Sequence, residues 1–308
     1  MNKISLIVPC YNEEANIKPF YNAIMEIYTG GGINDADLEL MFVNDGSKDN
    51  TLQKIRALHE KDSRVKCVSF SRNFGKEAAL FAGIRNVTGD CTVLLDADLQ
   101  HPPFVLVEMY KKWKEGYEVV EGVKSNRGKE GLFHKLFTKV FYGMISKAVG
   151  MDMKNSSDYK LLDKKVVAEL AKLKERNTFF RALSFWVGFK KTTVYYEVAE
   201  RANGTSKWST KSLIKYAINN VICFSYAPLH IVTVIGCIFT ILGIAVAIDA
   251  LISFFTGKAA SGFPTLVCIT LIGFGGVMFC LGIIGVYIAQ IYDEVKGRPQ
   301  YIIGEKIE

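Results

Sequence analysis

The chain has 308 residues, 49% of them hydrophobic, with a formal charge of +7 and a pI near 8.9. That length holds one large α/β domain with an additional part. Much of the basic excess lies in amphipathic segments and no aromatic-interleaved basic module stands apart, which excludes a nucleic-acid partner, and the 7 Cys include no C-x-x-C pair and read as free packing cysteines of a reducing compartment.

Met1 leads almost directly into a strand at residues 4–9, so no signal peptide is expected. Short β-branched or apolar runs follow at 38–44, 65–71, 92–96 and 118–122, separated by helical patterns such as Ile17, Phe20, Ile24 and Ile27. Gly30-Gly31-Gly32 marks a loop. The alternation predicts an α/β domain with a mostly parallel sheet, whose ligands should lie beyond the carboxyl ends of the strands.

Those ends carry the polar motifs. The first strand runs into Pro9-Cys10-Tyr11-Asn12-Glu13-Glu14 and the second into Asn44-Asp45-Gly46-Ser47-Lys48-Asp49. The third ends in Ser71-Arg72-Asn73-Phe74-Gly75-Lys76, and the fourth in Asp96-Ala97-Asp98-Leu99-Gln100-His101-Pro102. Paired carboxylates at a strand end suit a divalent cation held against phosphate oxygens, because Mg²⁺ takes one or two carboxylates and leaves its other positions to water and phosphate. Taken singly, Asp45, Asp49, Asn73, Gly75 and the Asp96/Asp98 pair also read as turn or helix-cap residues. Four such ends together point to one nucleotide.

The remainder of the chain speaks of a membrane. Residues 132–149 show a wide apolar stripe interleaved with Lys135, Lys139 and Lys147, which suits either a membrane surface or a packing helix. Residues 208–225 form a second amphipathic pattern, with Lys207, Lys211 and Lys215 spaced by four on one side. Residues 227–248 and 259–292 contain no Asp, Glu, Lys or Arg. Each exceeds the ~20 residues that cross a hydrocarbon core, so a two-span hairpin is predicted in preference to two buried core helices. Lysines before it, and Lys296 and Arg298 after it, place both ends in the cytoplasm by the positive-inside bias. The expected organisation is a catalytic domain over 1–205, an interfacial helix over 206–226, a hairpin over 227–292 and a cytosolic tail over 293–308.

In order along the chain, VPCYNEE, NDGSKDNT, SRNFGKEAALFAGI, LDADLQHPP, NSSDYKLLDKK, RANGTSKWS and EVKGRPQY resemble the family 2 glycosyltransferases. The similarity is closest to the polyprenyl-phosphate type that includes bactoprenol glucosyltransferases and dolichol-phosphate mannose synthases. It implies a GT-A fold. Pro9, Tyr11, Glu13 and Asp45 would hold the base and ribose, Gly75 and Lys76 would lie near the diphosphate, Asp96 and Asp98 would serve the ribose and metal, and Asn12, Arg72, Ala97 and Gln100 would complete the nucleotide-sugar site. Asp98, with Asp96, would carry Mg²⁺ or Mn²⁺. Asp158 matches the family's catalytic-loop carboxylate and is expected, with Asp96, to be catalytic. The acceptor phosphate would meet Lys124, Arg127, Lys135, Arg201, Ser206 and Lys207. Two positions depart from the pattern: Lys124 stands where many members have Arg, and Tyr159-Lys160 where they have Phe-Arg.

The resemblance implies inverting transfer of one hexosyl unit, glucose or N-acetylglucosamine, from a UDP-sugar to undecaprenyl phosphate. GDP-mannose is the alternative donor. A phosphate monoester has a second pKa near ~6 and is already an anionic nucleophile, so Asp158 is expected to orient more than to deprotonate. A processive synthase is disfavoured by the two spans and by the lack of a Gln-x-x-Arg-Trp motif. A non-catalytic nucleotide-sugar binder would look nearly identical, while a transport role for Asp249 leaves the acidic strand ends unexplained. A homo-oligomer is expected, with Gly282 and Gly285 allowing helix packing.

Overall fold

A computed structural model of the chain describes residues 1–125, 157–176, 178–197, 227–256 and 262–308, together with Gly143 and Ser146. The first stretch alternates β1 (Asn2–Cys10), α1 (Ile17–Thr29), β2 (Ala36–Asn44), α2 (Thr51–His59), β3 (Val65–Phe70), α3 (Lys76–Asn86), β4 (Cys91–Leu94), α4 (Val105–Lys114) and β5 (Val119–Lys124). After the intervening segment come β6 (Lys160–Asp163), α5 (Lys164–Lys172), α6 (Phe180–Trp186) and β7 (Lys191–Tyr196). Two long helices, α7 (Ala227–Phe255) and α8 (Phe263–Val295), precede a last strand, β8 (Ile303–Ile307).

One eight-stranded sheet takes the order β7-β5-β6-β4-β1-β2-β3-β8. The joins β1–β2, β1–β4, β2–β3 and β5–β7 are parallel, and those of β6 with β4 and β5 and of β8 with β3 are antiparallel. The central strands are apolar on both sides because helices cover both faces, and nearly all of β2 is buried. Ile17, Phe20 and Ile24 of α1 recur at helical spacing and all face this core. Parallel pairing of β1 to β4 brings their carboxyl ends to one edge, as the strand pattern predicts.

The sequence reading differs from the structure at its end. Residues 303–307, expected within a tail, form the edge strand β8, registered against β3 from Cys67↔Ile307 to Phe70↔Ile303. Its alternating half-buried and exposed residues are too few, and too interrupted by Gly304, to announce a strand. Arg56 donates to both Glu305 carboxylate oxygens, at 3.2 and 2.5 Å. The predicted amphipathic segments 132–149, Gly143 and Ser146 apart, and 208–225 lie outside the described residues.

Two compact units result, one of residues 1–215 and 299–308 and one of residues 216–298. The second contains two helices whose windows Pro228–Ala250 and Ile269–Val295 have mean hydropathies of 2.8 and 2.3, with neither window buried. A core helix would be covered. These helices expose Leu242, Leu271, Ile272 and Met278 at more than half of their surface, a distribution suited to lipid. They approach closely where a Cβ on Gly276 would lie 2.9 Å from the Phe239 ring. β7 and β8, on either side of the helical pair in sequence, belong to one sheet.

Candidate active site

The loops after β1, β2 and β3 interlock through short polar side chains. Asn12, in the left-handed region at φ 54°, accepts the Lys48 N–H on its Oδ1 at 2.9 Å and donates its own N–H to Ser47 Oγ at 3.0 Å. Asp45 is 4% exposed and accepts three donors from the third loop: Phe74 N–H at 2.6 Å, Gly75 N–H at 2.9 Å and Asn73 Nδ2 at 2.8 Å. Burial nevertheless raises its pKa, against those backbone hydrogen bonds. Gly75, at φ 100°, turns the chain into α3. Asp45 thereby fixes where α3 begins.

Lys76 is the first residue of that helix, and its ammonium lies 2.7 Å from Asp96 Oδ1 and 3.2 Å from Asp158 Oδ2. Arg181, on α6, donates Nε to Asp158 Oδ1 at 2.6 Å and Nη2 to Oδ2 at 2.8 Å, the two-pronged geometry of a strong pair. His101 approaches Asp96 from the other side, Nε2 to Oδ2 at 3.7 Å, while its Nδ1 lies 2.6 Å from the Tyr196 hydroxyl. Removal from water pushes both carboxyls up, but Lys76 and His101 hold Asp96, and Lys76 and Arg181 hold Asp158, well below the usual range. For Lys76, burial lowers the pKa and the two carboxylates more than reverse it. All three stay charged around neutrality, and an Asp158 so held is a poor proton acceptor.

Asp98 supplies the oxygens best suited to a cation. Its Oδ1 accepts the Gln100 N–H at 3.1 Å, and its Oδ2 has no hydrogen bond among the described residues. Leu99 between them takes φ 57°, which folds the segment back on itself. No group of three or more His, Cys, Asp or Glu among the described residues forms a complete metal cage. The donor set fits a hard divalent ion that draws its remaining ligands from phosphate and water.

Of the expected donor-site residues, Tyr11, Asn12, Glu13, Asp45, Arg72, Gly75, Lys76, Asp96, Ala97, Asp98 and Gln100 all follow the ends of β1 to β4, and Pro9 is the penultimate residue of β1. Glu13 accepts Asn16 Nδ2 at 2.6 Å, and Arg72 is exposed with its guanidinium 4.3 Å from the Phe74 ring. Asp49 performs the turn role, accepting the Glu14 and Thr51 N–H groups at 3.2 and 3.1 Å. Lys124 ends β5, whereas Arg127, Lys135, Arg201, Ser206 and Lys207 lie outside the described residues. Arg181 and Glu77 were not foreseen. Arg181 has no short-range motif with Asp158, from which 22 residues separate it in sequence, and Glu77 reads only as a first-turn helix acid.

Residues 5–167 match the family described as Glycosyl transferase family 2. The chain is 40% identical over 301 residues to an uncharacterized glycosyltransferase YkcC of Bacillus subtilis, covering 97% of this chain and 92% of the relative. It is 37% identical over 307 residues to a bactoprenol glucosyl transferase of Shigella phage SfII, covering 98% and 97%. Among solved structures, mannosyl-3-phosphoglycerate synthase from Rubrobacter xylanophilus superposes with a TM-score of 0.47 at 14% identity, covering 72% of this chain and 73% of that one.

Two consequences follow from the geometry. Gly46 sits at φ +64°, and a Cβ there would lie 2.4 Å from the Arg72 carbonyl carbon. Gly46→Ala should therefore pry the second and third loops apart, destabilising the protein by about 1–3 kcal/mol and weakening nucleotide binding in a titration. Glu77 accepts the Phe180 N–H at 2.8 Å, and burial first, with Asp158 adding to it, pushes its pKa up to about 7 against that hydrogen bond. A carboxyl raised in the folded state stabilises it when protonated, so this contribution is full at low pH and is lost as pH rises through about 7. Glu77→Gln keeps the acceptor without the charge. Thermal unfolding should show the variant gaining on the parent protein as pH rises from about 5 to about 8.

Proposed function

This chain belongs to glycosyl transferase family 2, and on that premise we propose that it transfers a single hexosyl unit from a UDP-sugar to a polyprenyl phosphate. The observation that carries the reading is the union of a four-stranded carboxylate and lysine edge with a pair of uncovered apolar helices in one chain. The name of the phage relative, identical at 37% of positions over nearly the whole length, supports a bactoprenol acceptor and a glucosyl donor. Cytoplasmic orientation is supported by the flanking lysines.

The interlocked loops after β1 to β3 would seat the base and ribose, with Tyr11 and Arg72 presented to solvent. Lys76 would turn one of its three donors to the diphosphate while Asp96 and Asp158 hold it in place. Asp98, with Asp96, would hold a divalent cation, which when bound neutralises charge on the departing diphosphate. An acceptor phosphate oxygen attacks the anomeric carbon as the bond to the diphosphate oxygen breaks, and configuration inverts. No proton need leave a phosphate that is already anionic. Asp158, fixed by Arg181 and Lys76, would orient the sugar or the acceptor.

The test is a donor panel. Purified protein with Mg²⁺, undecaprenyl phosphate and UDP-glucose, UDP-N-acetylglucosamine or GDP-mannose should release nucleoside diphosphate with one UDP-sugar and yield a lipid of matching added mass. Acceptor-independent release, or none with any donor, contradicts the reading. Asp98→Asn should reduce metal-dependent turnover by about 10²-fold or more, the scale of losing one charge-stabilising group, while the protein stays in the membrane fraction.

A further inference from the structure

The segment after the second long helix returns to the sheet beside the donor loop. Gln300 accepts Arg85 Nη1 at 2.9 Å and donates to the Glu175 carbonyl, and Arg85 also donates to the Leu173 carbonyl at 2.7 Å. The next residue, Tyr301, stacks on Phe70 with ring centroids 4.9 Å apart and planes at 12°. Phe70 meets Phe74 edge-on at 5.8 Å, and Phe74 carries the Arg72 guanidinium at 4.3 Å. The backbone joins the same path, since Ser71 donates its N–H to the Ile302 carbonyl at 3.0 Å.

This column ends at an exposed cation in the loop whose Phe74 and Gly75 amides donate to Asp45. A loop held by one carboxylate alone can pivot about it. Stacking against a ring from the segment that leads into the edge strand removes that freedom, because offset aromatic pairs and cation–π contacts both prefer defined geometry. The Tyr301 hydroxyl makes no hydrogen bond among the described residues, so its contribution lies in the ring.

We propose that Tyr301 is a positioning residue of the donor site, acting through Phe70 and Phe74 to aim Arg72 at the nucleotide diphosphate. The residues following the last membrane helix are then part of the nucleotide site. This rests on the reading of the protein as a nucleotide-sugar enzyme, and the test separates the two. Binding of uridine diphosphate with Mg²⁺ is titrated directly on the full-length detergent-solubilised protein, independent of turnover.

Tyr301→Ala should weaken binding by about 5- to 10-fold, the scale of a partly exposed cation–π or stacking contact. Tyr301→Phe should restore parental affinity. Tyr301→Leu keeps apolar bulk without the stacking face and should bind as weakly as the alanine variant, which covers the case that alanine loosens the strand. Combined with Arg72→Ala, Tyr301→Ala should add little further loss, since both disable one device. Parental affinity in the alanine and leucine variants, or full additivity in the double variant, overturns the inference while leaving the enzyme reading intact. Absence of binding by the parent protein to either uridine or guanosine diphosphate overturns both.

Discussion

Two carboxylates, Asp96 and Asp158, stand close together at the edge of a low-dielectric sheet, and each needs a counter-charge to stay ionised. Lys76 bridges them and Arg181 clamps Asp158. Much of the site can be traced from that requirement. Lys76 reaches both only because α3 starts where it does, and α3 starts there because Asp45 collects the amides of Phe74 and Gly75. Arg181 reaches Asp158 because Glu77 receives the first amide of α6, and because Lys160, buried in β6, donates to Ser184 one turn later at 2.8 Å.

The buried Lys160 shows what the departure from the family pattern entails. It is fully covered, its Nζ lies 2.5 Å from Glu121 Oε1, and burial lowers its pKa while Glu121 opposes the shift. A point charge on a flexible stem satisfies this pair without the planar fork of an arginine. Removing one partner would leave the other buried and unpaired, which is the costly way to break such a contact.

The order of strand and helix, and the gathering of sites at the strand ends, were legible in the chain. Periodicity and composition determine both, as the burial of Ile17, Phe20 and Ile24 shows. Asp45 was legible as a carboxyl at a strand end, in a turn or at a nucleotide, but the three donors from the third loop folded onto it were not. Arg181 and Tyr301 were hidden for a related reason. Each acts on a residue distant in sequence, and contacts across the sheet leave no local spacing to read. The strand β8 escaped notice because five residues with a glycine second and two charges after it look like a tail until β3 supplies the ladder.

The most direct measurement is nucleotide binding by Lys76→Gln, a substitution of similar length that removes the bridging charge. The account holds that Asp96 and Asp158 then repel each other, so uridine diphosphate affinity should fall and both remaining carboxyls should titrate at higher pH than in the parent protein. A Lys76→Gln variant that binds uridine diphosphate as the parent does, with unchanged carboxyl titration, would contradict it.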